Sequence, residues 1–272
     1  MWQKETTMKY VLALLLAVAL APAHAALDWE SALNGEQRSA ENKARDSSRH
    51  PRETLEFFGL KEGMTVVELS PGGGWYTEVL APLVARDGQL YAAHFGMNIS
   101  SNGYFRNALG GFLQKLAANN DLYGAVTVTQ LAPPAETSVA PAGSADLVVA
   151  FRNIHSWMRM DSLDATLAAA FTALKPGGAL GIVQHRAPSG DDLSAMAKSG
   201  YVTEAHVIAA AEKAGFKLDA RSEINANPRD TADHAAGVWA LPPALRGAEE
   251  DRAKYEAIGE SDRMTLRFVK PA

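Results

Sequence analysis

Short apolar runs alternate with stretches of helical spacing along most of the chain. The runs are rich in Val, Leu and Ala and end at Gly, Pro or polar residues, which is typical of buried strands in a parallel sheet. Strands are predicted over residues 64–69, 89–94, 125–131, 146–150, 179–184, 216–220 and 264–269. Helices are predicted between them over residues 75–85, 104–118, 163–174 and 203–214. This alternation predicts an α/β domain with right-handed crossovers and a sheet covered on both faces.

Two segments outside this alternation predict a helical cap and a lid. Residues 29–49 and 52–58 are rich in helix formers, so residues 26–60 are expected to form an N-terminal helical cap. Residues 222–262 form a long irregular excursion before the last strand. Because such a loop in a compact domain is more often functional than idle, we expect it to act as a lid.

The N-terminus has the layout of a secretory signal. Lys4 and Lys9 precede an apolar run over residues 11–21, and Ala23-His24-Ala25 supplies small residues for cleavage. The run is shorter than the roughly 20 apolar residues that cross a membrane, so no stable anchor is predicted. A buried helix is the other interpretation. We expect cleavage after Ala25, a single domain over residues 26–272, and a periplasmic or secreted protein.

Composition excludes several classes of function. The 272 residues are 47% hydrophobic and carry a net charge of -5, without a dense Lys/Arg run, so nucleic acid is not an expected partner. The chain has no cysteine, which excludes a disulfide scaffold, a cysteine nucleophile and a thiolate metal site. These features describe a folded protein and say nothing of its oligomeric state.

The first predicted strand runs into a glycine-rich turn, Ser70-Pro71-Gly72-Gly73-Gly74, and then into a helix. Glycines there let a ligand approach the backbone closely, and a helix N-terminus offers unpaired N–H groups. A nicotinamide or flavin fingerprint would require a third small residue where Thr77 stands. The turn therefore indicates a nucleotide-like ligand, with a tight turn that binds nothing as the alternative.

Three segments resemble class I S-adenosylmethionine-dependent methyltransferases. Residues 68–74 resemble the family's glycine motif, residues 146–155 its fourth strand with the loop that closes over the cofactor, and residues 174–180 its turn before strand five. More narrowly, three runs are similar to exported bacterial proteins described as predicted methyltransferases: residues 71–78, 225–228 and 259–264. The resemblance implies a Rossmann-like, seven-stranded, mostly parallel sheet with an antiparallel last strand.

The resemblance also implies S-adenosylmethionine as the cofactor. Gly72 and Gly74 would face its amino-acid part, Glu68 would lie near its ammonium group, and Asn153 near the loop covering it. His94 ends the second strand, where the family has an acidic residue that binds both ribose hydroxyls. A neutral imidazole cannot make both contacts, so weakened affinity is expected. The residues expected at the cofactor are Glu68, Ser70, Gly72, Gly73, Gly74, Tyr76, His94 and Asn153.

Histidine and arginine side chains follow the fourth and fifth strands. Arg152, His155 and His185 would stand at the strand ends where open α/β sheets bind ligands. Methyl transfer needs in-line positioning and a base for the acceptor's proton, so these three residues are the catalytic candidates. Ordinary hydrogen-bonded structure is the alternative for each histidine. No metal is predicted, because His94, His155 and His185 include no closely spaced pair.

Further candidates lie in the cap, in the lid and among the aromatic residues. The cap contains a polar group that suits either an anionic substrate or a solvated helix face: Arg45, Asp46, Arg49 and Arg52. The lid contains Asn225, Asn227, Arg229, Asp230 and His234. An aromatic pocket wall or core packing is expected of Trp75, Tyr76 and Trp157.

The favoured function is methyl transfer from S-adenosylmethionine to a small molecule, outside the cytoplasm. The alternative is a different enzyme, or a small-ligand-binding protein, on the same scaffold. A nicotinamide oxidoreductase is disfavoured by the turn pattern and by the final strand.

Overall fold

A computed structural model describes residues 27–98, 103–247 and 249–272. The predicted signal segment, residues 1–25, lies outside the described residues. The strands are β1 (Thr65–Leu69), β2 (Gln89–His94), β3 (Val126–Gln130), β4 (Ala145–Phe151), β5 (Leu174–Ala187), β6 (Val202–Thr203), β7 (Lys217–Ser222) and β8 (Arg263–Val269). The helices are α1 (Trp29–Asn34), α2 (Ala40–Ala44), α3 (Asp46–Arg49), α4 (Pro51–Phe58), α5 (Thr77–Val84), α6 (Gly103–Ala118), α7 (Asn120–Tyr123), α8 (Ile154–Arg159), α9 (Leu163–Ala173), α10 (Leu193–Ser199), α11 (Glu204–Lys213) and α12 (Arg252–Ile258).

The sheet has the strand order β3-β2-β1-β4-β5-β8-β7, and β6 pairs with the end of β5. Strands β1 to β5 pair in parallel, whereas β8 is antiparallel to both β5 and β7. The expected mostly parallel sheet with an antiparallel last strand is confirmed, with the two-residue β6 as an addition. Because β1 to β5 are parallel, their carboxyl ends meet at one edge, where ligands of such sheets bind.

Two hydrophobic clusters cover the two faces of the sheet. Alternate residues of β4 enter different clusters: Leu147 and Val149 pack on the side of α5, and Val148 and Ala150 on the side of α9. This period of two is the pleat of a strand that is buried on both faces. The apolar run over residues 146–150 of the sequence arises because both faces of this strand are buried.

The N-terminal residues form four short helices instead of the two predicted. Asp28 and Ser39 accept main-chain N–H groups at the starts of α1 and α2. His50 adopts a left-handed conformation, φ 41°, and Pro51 begins α4. Side-chain caps and proline therefore divide what the composition indicated as one helix over residues 29–49.

Strand β5 corrects one boundary. Residues 175–178 were expected to form a turn before a strand over residues 179–184, yet β5 begins at Leu174. Its pairing with β4 shifts register there, since Ala145 pairs with Leu174 and Leu147 with Ala179. Gly177, φ 79°, gives the strand this irregularity, and its N–H donates to Lys270 O. The glycines thus mark a bulge.

Short elements account for the other differences from the sequence prediction. Helices α7, α8, α10 and α12 were not predicted. Residues 222–262 contain α12 and two 3₁₀ helices, Gly237–Ala240 and Glu249–Asp251. In the part of the chain that the structure describes, no helix combines the length and apolarity needed to cross a membrane.

Candidate functional site

The glycine-rich turn lies at the carboxyl end of β1. Ser70, Gly72 and Gly74 all have left-handed backbone, with φ of 50°, 59° and 78°. A Cβ added at Gly72 or Gly73 would meet nothing within 4 Å, whereas one at Gly74 would lie 3.0 Å from the Phe112 ring. The turn therefore has a packed side at Gly74 and an open side at Gly72 and Gly73, where a ligand can approach the main chain.

Side chains that follow β4 hold this turn in place. Asn153 Nδ2 donates to Leu69 O and Ser70 O, each at 3.1 Å. Trp157 Nε1 donates to Ser70 Oγ at 3.2 Å. These contacts fix the glycine turn against the end of β4. Contacts of Ser70 and Asn153 with a cofactor stay a prediction.

His94 ties the same turn to the end of β2. The Phe95 N–H donates to His94 Nδ1 at 2.8 Å, so Nε2 carries the proton and donates to Gly72 O at 3.0 Å. The ring is fully buried, and burial lowers its pKa, opposed by the bond to Gly72. Both nitrogens thus have main-chain partners. A contact between His94 and a cofactor stays a prediction.

Glu68 lies beneath the turn. Its carboxylate is 2% exposed and accepts a 2.5 Å hydrogen bond from Thr77 Oγ1, at the start of α5. Burial raises the pKa of Glu68 to about 7, while the bond from Thr77 and the charge of Lys115 lower it. The expected place near a ligand ammonium group also stays a prediction, because in the structure Thr77 is the partner of this carboxylate.

An apolar cavity of about 300 Å³ adjoins the turn. This volume is at the lower end of the range for small-molecule sites, about 300–1,000 Å³. Thr166 Oγ1 is buried without a hydrogen-bond partner among the described residues, and Thr166 belongs to the cavity wall. The wall is otherwise mostly apolar and includes Phe95, Phe105, Leu131, Trp157 and Met160.

Of the three aromatic candidates, Trp157 alone lines this cavity. Tyr76 stacks on Phe151, with ring centroids 3.4 Å apart and planes 6° apart, and its hydroxyl donates to Arg49 O at 3.3 Å. Burial raises the pKa of Tyr76 to about 12. Trp75 packs beneath the Arg49 guanidinium at 4.6 Å. Tyr76 and Trp75 therefore join the glycine turn to the helical cap.

The hydrogen bonds of Gln184 determine where His155 carries its proton. Ile154 N donates to Gln184 Oε1 at 3.2 Å, so Gln184 Nε2 donates to Gly200 O at 2.8 Å and to His155 Nδ1 at 3.2 Å. His155 is then protonated on Nε2. Burial, followed by the charge of Arg159, lowers the pKa of His155 to about 4. At neutral pH this ring is an uncharged donor and a poor base.

His185 lies beside His155, with ring centroids 5.7 Å apart. Its Nδ1 is 2.6 Å from Ser261 Oγ, and Arg263 is its cross-strand neighbour in β8. Burial, with His155 as the next cause, holds the pKa of His185 well below its ordinary value. The structure thus brings the two predicted histidines together.

Arg152 stands at the end of β4 with left-handed backbone, φ 63°. Its guanidinium makes no hydrogen bond or ion pair with the described residues. Burial, and then the charge of Arg263, lowers the pKa of Arg152 to about 10.

The N-terminal helices and residues 222–262 meet above this edge of the sheet. Glu260 accepts from Arg45 Nε at 2.6 Å, from Arg49 Nε at 3.2 Å, and from Arg263. Burial opposes its ionisation, yet the charges of Arg263, Arg49 and Arg45 lower the pKa of Glu260 to about 2. Tyr201, Gln184, Glu260 and Arg263 were not among the sequence candidates. No local pattern marks them, since Glu260 lies 215 residues from Arg45 along the chain.

The other two cap candidates lie elsewhere. Asp46 pairs with Arg38, and Arg52 forms an exposed pair with Glu56. Only Arg45 and Arg49 of the four reach Glu260.

The polar candidates in residues 222–262 form hydrogen bonds that hold this segment in place. Asp230 accepts from Tyr201 Oη at 3.0 Å, from His234 Nε2 at 2.9 Å and from Asp262 N at 2.8 Å. Asn225 Nδ2 donates to Thr54 and Thr265, Asn227 Nδ2 to Ile258 O and Glu260 O, and Arg229 to Ala257 O. These contacts position Glu260 and Ser261. No group of three or more His, Asp or Glu side chains in residues 27–98, 103–247 and 249–272 is arranged to hold a metal ion.

Comparisons with known proteins give the fold. No protein-family model matches the sequence, and no curated protein matches it. A SAM-dependent methyltransferase from Aquifex aeolicus is similar in structure, with a TM-score of 0.54 and 18% identity over 84% of this chain and 93% of that one. The cyclase SpnF is similar too, with a TM-score of 0.54 and 17% identity over 93% and 88%. The chain has the α/β, Rossmann-like fold of the class I methyltransferases.

Proposed function

We propose that the protein is an S-adenosylmethionine-dependent methyltransferase that acts on a small molecule. The observation that carries this proposal is the glycine turn at the end of β1, open at Gly72 and Gly73 and next to an apolar cavity. Together they supply a main chain for the polar part of the cofactor and an apolar wall for its adenine ring.

The residues present fit most of the cofactor. Phe95, Leu131 and Trp157 would flank the adenine, and the unpartnered hydroxyl of Thr166 offers a hydrogen bond in the same cavity. The ribose end is different, since His94 uses both ring nitrogens on the main chain and has replaced the usual carboxylate. We therefore expect cofactor binding to rely on contacts with the adenine ring and with the glycine turn.

The bound cofactor would supply a methyl group on a positively charged sulfur. His185 would accept a hydrogen bond from the acceptor through Nε2, because Nδ1 can donate to Ser261 Oγ and Nε2 has no partner among the described residues. Burial holds the pKa of His185 well below its ordinary value, so the ring is neutral at pH 7 and would orient the acceptor's proton for release to water. His155, protonated on Nε2, would donate a hydrogen bond and orient the acceptor. The guanidinium of Arg152 has no side-chain partner among the described residues, so its positive charge would be available to a bound acceptor.

Label transfer tests the proposal. The protein is incubated with methyl-labelled S-adenosylmethionine and a small-molecule extract of the periplasm, and labelled products are identified by mass spectrometry. We expect a labelled product with the parent protein and none with Gly72→Val. A parent that binds the cofactor and labels nothing would refute methyl transfer.

A second candidate is a different reaction on the same scaffold. It is favoured by the absence of a carboxylate at the end of β2, and the similar protein SpnF is named a cyclase. Failure of the folded parent to bind S-adenosylhomocysteine would favour this candidate.

We also propose that the protein is exported and loses residues 1–25. The basic, apolar and small-residue layout of that segment supports this. N-terminal sequencing of the periplasmic fraction should begin at Ala26, and a retained Met1 in cytoplasmic protein would contradict it.

A further inference from the structure

Three arginines share one carboxylate above the ends of β5 and β8. Arg45, Arg49 and Arg263 all donate to Glu260. These three cations and one carboxylate leave a net charge of two, and Arg152 adds a third positive charge nearby, since it interacts electrostatically with Arg263 and Glu260. An anion bound here would offset this excess of positive charge.

Two of these guanidinium groups have donors to spare. Arg49 is 2% exposed, and its Nη1 is buried without a hydrogen-bond partner among the described residues. Arg152 makes no side-chain hydrogen bond or ion pair within the described part of the chain. Tyr76 stacks on Phe151, the residue before Arg152, and its hydroxyl donates to Arg49 O, so the two arginines lie on the same side of the glycine turn. Burial, and then the charge of Arg152, lowers the pKa of Arg49. The buried Nη1 of Arg49 lacks a hydrogen-bond partner and Arg152 lacks a counter-ion among the described residues, and an anion between them would supply both.

The arginine cluster and the apolar cavity are built from different residues. Arg152 follows β4, while His185 and Arg263 face each other across β5 and β8. The cavity is lined by residues that follow β1, β2, β3 and β4, among them Ser70, Phe95 and Trp157, and none of the four arginines lines it. The cluster thus lies next to the glycine turn, where Asn153 follows Arg152, and shares no lining residue with the cavity. The partly exposed Arg45 and Arg152 leave the cluster accessible.

We propose that the methyl acceptor carries an anionic oxygen group, a carboxylate or a phosphate, which Arg49 and Arg152 bind. The anion site is inferred from the contacts of the arginines. Its assignment to a methyl acceptor rests on the proposed methyl transfer. The anion would lie beside His185. One small molecule could therefore place its anionic group at the arginines and its reacting atom at the histidine.

Titration calorimetry with inorganic phosphate tests the site. We expect saturable binding to the parent protein and binding weaker by at least about tenfold in Arg152→Gln, because guanidinium–anion hydrogen bonds are among the strongest. Arg152→Lys should retain most of the affinity, since it keeps the charge. Arg86→Gln is the matched control, because it removes one exposed positive charge far from the cluster and should bind phosphate as the parent does.

A second titration identifies which molecule carries the anion. S-adenosylhomocysteine has the amino-acid carboxylate of the cofactor, and methylthioadenosine lacks it. Arg152→Gln should bind both as tightly as the parent does. If the variant loses affinity for S-adenosylhomocysteine but not for methylthioadenosine, the anion is that of the cofactor and the proposal is wrong. Equal phosphate binding by Arg152→Gln and Arg86→Gln, or no phosphate binding by the folded parent, would also overturn it, whatever the outcome for methyl transfer.

Discussion

The most specific energetic prediction concerns Glu68 beneath the glycine turn. Burial raises its pKa from 4.5 to about 7. Because the folded protein holds this proton more tightly than the unfolded chain does, the stability that Glu68 contributes is present below pH 4.5 and is lost as pH rises to about 7. Each pKa unit corresponds to about 1.4 kcal/mol, so the loss is on the order of 3 kcal/mol.

Glu68→Gln tests this reasoning, because glutamine is neutral at every pH and can still accept the hydrogen bond of Thr77. Urea unfolding of parent and variant is measured at pH 4.5 and at pH 8. The free energy of unfolding of the variant, relative to that of the parent, should be about 3 kcal/mol higher at pH 8 than at pH 4.5.

Glu212→Gln is the control for this experiment. It makes the same chemical change at an exposed position of α11 and should give the same difference from the parent at both pH values. An equally constant difference for Glu68→Gln would refute the argument that the buried carboxyl holds its proton near neutral pH.

Two further predictions concern the histidines. His94→Phe leaves Gly72 O and Phe95 N without a side-chain partner, so the free energy of unfolding should fall by about 2–4 kcal/mol in urea denaturation; unchanged stability would show that the ring does not secure the turn. The pKa of His155, about 4, lies below its ordinary 6.5, so its contribution to stability is full above pH 6.5 and is lost as pH falls towards 4. Nitrogen chemical shifts should report a neutral, Nε2-protonated ring from pH 8 to pH 5, and a midpoint near 6.5 would contradict its burial.

The central strands could be predicted from sequence because burial on both faces gives each of them a continuous apolar run. The run at residues 89–94 coincides with β2, and the glycine turn begins where β1 ends. Pairs such as Val202–Thr203 are too short for any periodicity, and α12 lies in a segment whose order comes from Asp230 and Asn227. Those contacts are between distant parts of the chain.

The site could be predicted only in outline. Parallel strand ends brought Arg152, His155 and His185 to one edge, as topology requires. The residues that determine their protonation and charge lie elsewhere in the sequence. Gln184 determines which nitrogen of His155 carries the proton, and Glu260 pairs with Arg45 across 215 residues. A sequence shows side-chain types but not the hydrogen bonds that decide tautomer and charge.

The central claim is that the open side of the glycine turn binds the cofactor. Calorimetric titration of the folded protein with S-adenosylhomocysteine tests it most directly, with Gly72→Val as the blocking variant and Gly143→Val as its control. Both glycines have left-handed backbone, φ 59° and 64°, and open space around an added Cβ, so the two variants carry similar strain. We predict saturable binding by the parent and by Gly143→Val, and a loss of at least about tenfold, or 1.4 kcal/mol, in Gly72→Val. Equal binding by all three proteins, or none by the parent, would contradict the claim.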